Sequence, residues 1–154
     1  KEILLDEIVN SVFQILGDKA DKKDIHLQKD IPPRTIIQAD KHRLMQIMIN
    51  LVDNGIKFTE KGFVKVVFFT KNSKGIISVE DTGIGISKEH LQRIGERFYR
   101  VDQARSRQLG GTGLGLAIVK HLVLAHGWQL DMKSEVGEGT TIQIVIPEQD
   151  IIQF

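Results

Sequence analysis

Between Asp40 and Thr59 lies a helix that most of its own circumference cannot show to water. Leu44, Ile47, Met48, Leu51 and Phe58 form one apolar stripe at helical spacing. Met45, Ile49, Val52 and Ile56 extend that stripe around most of the cylinder. Asp40 stands where a side chain caps the first turn, and Gly62 is expected to mark the stop just beyond the last. The one remaining stripe holds Gln46, Asn50, Asn54 and Lys57, spaced i, i+4, i+8 and i+11. That stripe has two readings. It simply meets water, or its amides have partners, because a helix buried on most sides keeps polar groups where something satisfies them. Asparagine is a poor interior helix former, so two of them aligned one turn apart call for a reason.

A second feature is Gly110-Gly111-Thr112-Gly113-Leu114-Gly115-Leu116, which runs without a break into a helix over 117–126. Leu116, Val119, Leu122 and Val123 give that helix its apolar spacing. The glycines let backbone lie against a ligand with no Cβ in the way. A glycine loop opening a helix is an anion site, since free N–H groups of the first turn point outwards and the dipole favours negative charge. The local chemistry therefore suggests phosphate, although a flexible loop with no ligand reads equally well from this stretch alone. No Gly-Lys-Ser/Thr occurs in the chain, so it is not a P-loop, and the G-x-G-x-G spacing is not the dinucleotide fingerprint.

Composition narrows the partners. A net charge of +1 over 154 residues excludes an electrostatic nucleic-acid binder, although five arginines fall between Arg93 and Arg107. Those arginines read either as a solvated basic face or as a weak nucleic-acid patch. With no cysteine there are neither disulfides nor thiolate metal sites, which leaves the compartment open. No apolar run approaches the ~20 residues of a membrane helix. The chain starts at Lys1 inside an amphipathic pattern, with neither initiator methionine nor signal peptide, and is expected to be a single domain, 1–154, cut from something longer.

Taken in order, an amphipathic helix is predicted over 2–22, with Gly17 costing its last turn roughly 1 kcal/mol. Short strands follow at 25–31, ended by Pro32-Pro33, and at 35–38. After the apolar helix, strands at 63–70 and 76–81 form a hairpin through Lys71-Asn72-Ser73-Lys74-Gly75. The second runs into Asp81-Thr82-Gly83-Ile84-Gly85-Ile86, and Ser87 caps a short helix to about residue 94. Strands at 128–133 and 140–146 close the chain, with Pro147 as terminator. This order predicts an α+β fold: a two-layer sandwich of a mixed, mostly antiparallel sheet with about three main helices on one face.

Five stretches, in this order and at this spacing, resemble the ATP-binding catalytic domain of bacterial sensor histidine kinases, within the superfamily that includes gyrase and Hsp90 ATPase domains. Asn50-Leu51-Val52-Asp53-Asn54-Gly55-Ile56-Lys57-Phe58-Thr59 matches the N box, and residues 81–86 match the first glycine box. Glu96-Arg97-Phe98-Tyr99-Arg100 resembles the F box, residues 111–116 the second glycine box, and Gly137-Glu138-Gly139-Thr140 the last glycine motif. The run 96–121 further resembles sensor kinases of the phosphate-responsive type. Gly55 stands where alanine is usual, and Gly95 where the F box often has its first phenylalanine.

The resemblance implies an ATP site with Mg²⁺. Asn54 would be the metal ligand, with Asn50 and Lys57 facing the phosphates. Asp81 would accept from the adenine 6-amino group and reject guanine, whose O6 is an acceptor. Tyr99 would lie against the base and Arg100 would reach the phosphates. Gly83, Gly85, Ile86, Gly111, Thr112, Gly113, Leu114, Gly115, Leu116 and Thr140 would complete the ATP-binding set, with residues 102–110 as a mobile lid.

ATP-hydrolysing branches of the superfamily carry a glutamate one turn before the metal-binding asparagine. Here that position is Asn50, which cannot take a proton, and this favours transfer over hydrolysis. No catalytic nucleophile or base is expected in the chain, because none of His26, His42, His90, His121 and His126 is followed by Asp or Glu. The acceptor histidine would lie on a separate dimerisation domain of the parent, with residues 1–22 continuing from the connection to it. A response regulator would be the next partner. The fragment itself would be monomeric and cytoplasmic, within a homodimeric parent that a membrane could anchor. Two rivals share the motifs: an anti-sigma-factor type serine kinase, and a regulatory module that binds adenine nucleotide without catalysis.

Overall fold

The computed structural model describes residues 1–82, 114–135 and 139–153. Helices α1 (Leu5–Lys22), α2 (Lys41–Phe58) and α3 (Leu114–Ala125) cover one face of a five-stranded sheet. Its strands are β2 (Ile25–Asp30), β4 (Gly62–Lys71), β5 (Lys74–Asp81), β6 (Gln129–Glu135) and β7 (Gly139–Ile146), in the order β2-β4-β5-β7-β6. Only β2 and β4 run parallel; the other neighbours are antiparallel, so the sheet is mixed as expected. A smaller sheet joins β1 (Glu2–Leu4), β3 (Ile36–Gln38) and β8 (Ile151–Gln153), with β3 in the middle. Among the described residues, no helix is long and apolar enough to cross a membrane.

The apolar helix sits where its pattern requires. Packed between α1 and α3 and over the sheet, α2 buries Leu44, Ile47, Met48, Leu51, Val52 and Ile56. The Asp40 carboxylate accepts the Arg43 N–H at 3.0 Å, and that bond holds its pKa below the usual carboxylate range. Its contribution to stability is therefore complete above the ordinary carboxylate pKa and is lost as pH falls through the lowered native value. At the other end Lys23 Nζ donates to the carbonyls of Ile56 (2.6 Å) and Lys57 (3.1 Å), placing a cation on the negative end of the helix.

Three expectations are corrected. Residues 2–4 are a strand, not the start of α1: Ile3 pairs with Ile37, and the Leu5 N–H donates to Thr35 O at 3.0 Å. A three-residue run suits either period, and the unpaired edge of β3 decides for the strand. Gly62 does not end α2; Thr59 does, in an extended conformation (φ −106°, ψ 124°). Gly62 opens β4 at φ 134°, where a Cβ would overlap Thr82 Oγ1. Pro147 ends β7 but not the fold, because a 3₁₀ turn over Glu148–Asp150 leads into β8. Trp128 Nε1 donates to Asp150 Oδ2 (2.9 Å) and fixes that turn.

Two boundaries also move. The hairpin turns on Asn72 and Ser73 alone, at φ 54° and 66°, the two-residue geometry whose twist matches the strands, so β4 and β5 extend to Lys71 and Lys74. The third helix begins at Leu114 and includes Gly115. It ends at Ala125, and Gly127 (φ 74°) turns the chain away, with Gly127 N–H donating to Leu124 O and Trp128 N–H to Val123 O.

Gly17 lies inside α1 with open space where a Cβ would point. Gly17→Ala is expected to stabilise the protein by about 1 kcal/mol, because nothing offsets the helix-propensity gain. Chemical denaturation of the two proteins measures it, and an unchanged midpoint would refute it.

Candidate functional site

Asn50 and Asn54 project from α2 towards the first turn of α3. A Cβ built on Gly115 would lie 3.7 Å from Asn50 Oδ1 and 3.8 Å from Asn54 Nδ2, so the N box and the second glycine box meet through bare backbone. Both amides are half-buried, and neither has a hydrogen-bond partner among the described residues. Amides held in that state suit a ligand that satisfies them. The first turn of α3 brings the positive end of its dipole to the same space. Of the other amide-stripe members, Gln46 is exposed. Lys57 turns away: its Nζ lies 3.2 Å from Asp53 Oδ2, while Lys19 of α1 holds Asp53 Oδ1 at 2.6 Å. Leu116 is buried in the core at 8% exposure.

The carboxylate forms the second part of the site. At Gly55, the residue after Asn54, a built Cβ would come within 3.6 Å of Asp81 Cβ and 3.0 Å of both Val64 methyls. Glycine here lets α2 sit close to the strand end, which is why a position where alanine is usual tolerates the loss of helix propensity. Asp81 lies opposite Thr140, and Thr140 opposite Ser134, in one row across β5, β7 and β6. The Thr140 N–H donates to Asp81 Oδ1 at 3.3 Å. Gly139, at φ 126°, lets the Asp81 carbonyl pass where a side chain would collide with it. Thr82 closes the strand end, its hydroxyl accepting the Phe63 N–H at 3.2 Å. A cavity of about 320 Å³ opens here, lined by Asp81, Thr82, Ser134, Gly139 and Thr140 among others.

Gly83, Gly85, Ile86, Tyr99, Arg100, Gly111, Thr112 and Gly113 lie outside the described residues, as do the predicted helix at 87–94, the lid at 102–110 and the side chain of Leu114. Ser134 and Thr82 were not singled out by the sequence. Ser134 did carry a signal, because Leu130, Met132 and Ser134 alternate onto one face of β6 and place a hydroxyl on its apolar side. Thr82 carried none.

Among the described residues no group of three or more His, Cys, Asp or Glu could hold a metal ion. The amide of Asn54 can present an oxygen, a donor that Mg²⁺ accepts alongside phosphate and water. The donor set thus fits a cation that arrives with a phosphate ligand and is not caged by protein alone.

Residues 39–150 match the family described as histidine kinase-, DNA gyrase B-, and HSP90-like ATPase. The sensor histidine kinase YkoH of Bacillus subtilis is 40% identical over 150 residues, which is 97% of this chain and 32% of that relative. This chain spans about a third or less of the length of the curated relatives it matches. Among solved structures, full-length ShkA in complex with AMPPNP superposes with a TM-score of 0.81 at 30% identity, over 96% of this chain and 30% of that one. A mycobacterial sensor histidine kinase, MprB, gives 0.81 at 27% identity over 96% of each chain.

Proposed function

Because this chain belongs to the family of histidine kinase-, DNA gyrase B- and HSP90-like ATPases, we propose that it binds Mg-ATP and donates the γ-phosphoryl group to a histidine on a separate dimerisation domain of its parent sensor kinase. The phosphoryl group then passes to a response regulator, and this domain works on the cytoplasmic side. The observation that carries the reading is the pair of amides, Asn50 and Asn54, without hydrogen-bond partners among the described residues and facing Gly115 in the first turn of α3.

The base end of the nucleotide sits at Asp81 and Thr140, and the phosphates lie between Asn50, Asn54 and α3. The Asp81 carboxylate accepts from an exocyclic amine, which favours adenine. The Asn54 amide oxygen would ligate Mg²⁺, which, when bound, would neutralise charge on the phosphates. Lys57 reaches a phosphate only by releasing Asp53, which keeps Lys19 as its partner. Asn50 offers no base for water, so the chain holds the phosphates in place for an incoming nucleophile without activating solvent.

Radiolabelled ATP is the test, supplied to this chain alone, to the parent's histidine-bearing domain alone, and to the two mixed. Label is expected on the partner only in the mixture and is expected to be acid-labile, as phosphohistidine is. Acid-stable label would move the activity to a serine acceptor. Rapid ATP turnover by this chain alone would replace transfer with hydrolysis.

A further inference from the structure

We infer that Lys19, on α1, tunes nucleotide affinity by holding Asp53 and so easing the release of Lys57 from that carboxylate to a phosphate. This rests on Lys57 meeting a phosphate of the bound nucleotide, and it brings a residue outside the motifs into that task.

Three charges meet where α1 packs on α2. Asp53 Oδ1 accepts from Lys19 Nζ at 2.6 Å, and Asp53 Oδ2 lies 3.2 Å from Lys57 Nζ. Each carboxylate oxygen thus has its own cation, one from each helix. Among the described residues these two lysines are the ion-pair partners of Asp53. The settings differ. The Lys19 side chain is 47% exposed, whereas those of Asp53 and Lys57 are 21% and 22% exposed. Water can therefore serve Lys19 more readily than it can serve the other two.

Two effects make Lys57 easier to release while Lys19 is in place. The two ammonium groups repel each other across the carboxylate they share, and that repulsion is relieved when one of them leaves. Asp53 also keeps a partner after Lys57 has gone, whereas without Lys19 it would be a mostly buried carboxylate with no cation. Lys57 stands one turn beyond Asn54, and its four-carbon stem lets the ammonium exchange the acid one turn back for a phosphate. Lys19 needs no contact with nucleotide to act. It is a positioning residue that works through Asp53 on the place Lys57 occupies.

The experiment is calorimetric titration of the 154-residue chain with Mg-ATP, for wild type, Lys19→Met, Lys57→Met and the double variant. Methionine keeps an unbranched stem and the helix propensity of lysine while removing its charge. Lys19→Met is expected to weaken binding about threefold, the scale of one half-exposed ion pair. In the Lys57→Met background the same change is expected to have little effect, because no lysine has to leave Asp53. Asp53→Asn is expected to tighten binding by a similar factor, and Lys19→Met added to it to change nothing. Unchanged affinity in Lys19→Met, or equal weakening with and without Lys57, would overturn the inference and make Lys19 a bystander or a general cation. Lys57→Met that binds as the wild type does would overturn it by removing Lys57 from the phosphates. A wild type that binds no Mg-ATP would overturn the nucleotide reading itself.

Discussion

Replacing Asn54 with alanine is expected to weaken Mg-ATP binding by about 100-fold or more, on the scale seen when metal sites lose a supporting group. The same change should leave the fold intact or make it slightly more stable. Asn54 is half-buried with no partner among the described residues, so its removal breaks no bond among them. Alanine is also the better helix former, by about 0.5 kcal/mol. The two measurements thus move in opposite directions, which a structural asparagine would not produce. Calorimetry with Mg-ATP and a thermal melt of the same variant read both. A variant that melts early would make the amide structural, and one that binds normally would remove it from the metal.

The second large effect is expected at Gly139. A Cβ there meets the Asp81 carbonyl oxygen head-on and comes within 3.1 Å of Thr82 Cα, at a φ of 126° that side chains rarely adopt. These are backbone atoms, and no side-chain rotation relieves the overlap. Gly139→Ala is expected to cost about 3 kcal/mol or more, combining backbone strain with overpacking. Because the displaced strand end carries Asp81, nucleotide affinity should fall with it. Gly127, at φ 74° with open space around it, is the internal comparison. Alanine there meets only the left-handed penalty, roughly 1–2 kcal/mol. Urea denaturation of the two variants separates the cases, and equal losses would argue against the close approach.

The contrast between those glycines shows where the sequence stops informing. The central helix was legible because its apolar spacing and the Asp40 cap are local properties of one segment. The convergence of Asn50 and Asn54 on one face was legible for the same reason. Strands β1 and β8 were not, since three-residue runs take their conformation from β3, which is remote from both in the chain. The row of Asp81, Thr140 and Ser134 depends on register between three strands, and no spacing within any one of them encodes it. Gly62 misled for a related reason: a glycine after a helix usually serves the helix, whereas this one yields to the Thr82 hydroxyl just beyond β5. Lys57 has the position expected of it, but an acid one turn back holds its charge. Which partner a long flexible side chain chooses is not written in its spacing.

Both outer strands of the small sheet pair with β3, and β3 leads through Ala39 and Asp40 into α2. The Ala39 N–H donates to Lys1 O at 2.9 Å, and the Asp40 N–H to His126 Nε2 at 3.3 Å, so that end of α2 is clamped from several directions. Because α2 is one unbroken helix packed along its length, a change of angle at that end would be carried to the other end with its packing. Fourteen residues of rise carry Asn54 about 21 Å from Asp40, and a tilt of about 3° at the clamped end would swing the amide by about 1 Å. A misplacement of about 1 Å can cost on the order of 100-fold in rate. A shift of β3 would therefore be felt, through α2, at the Asn54 amide.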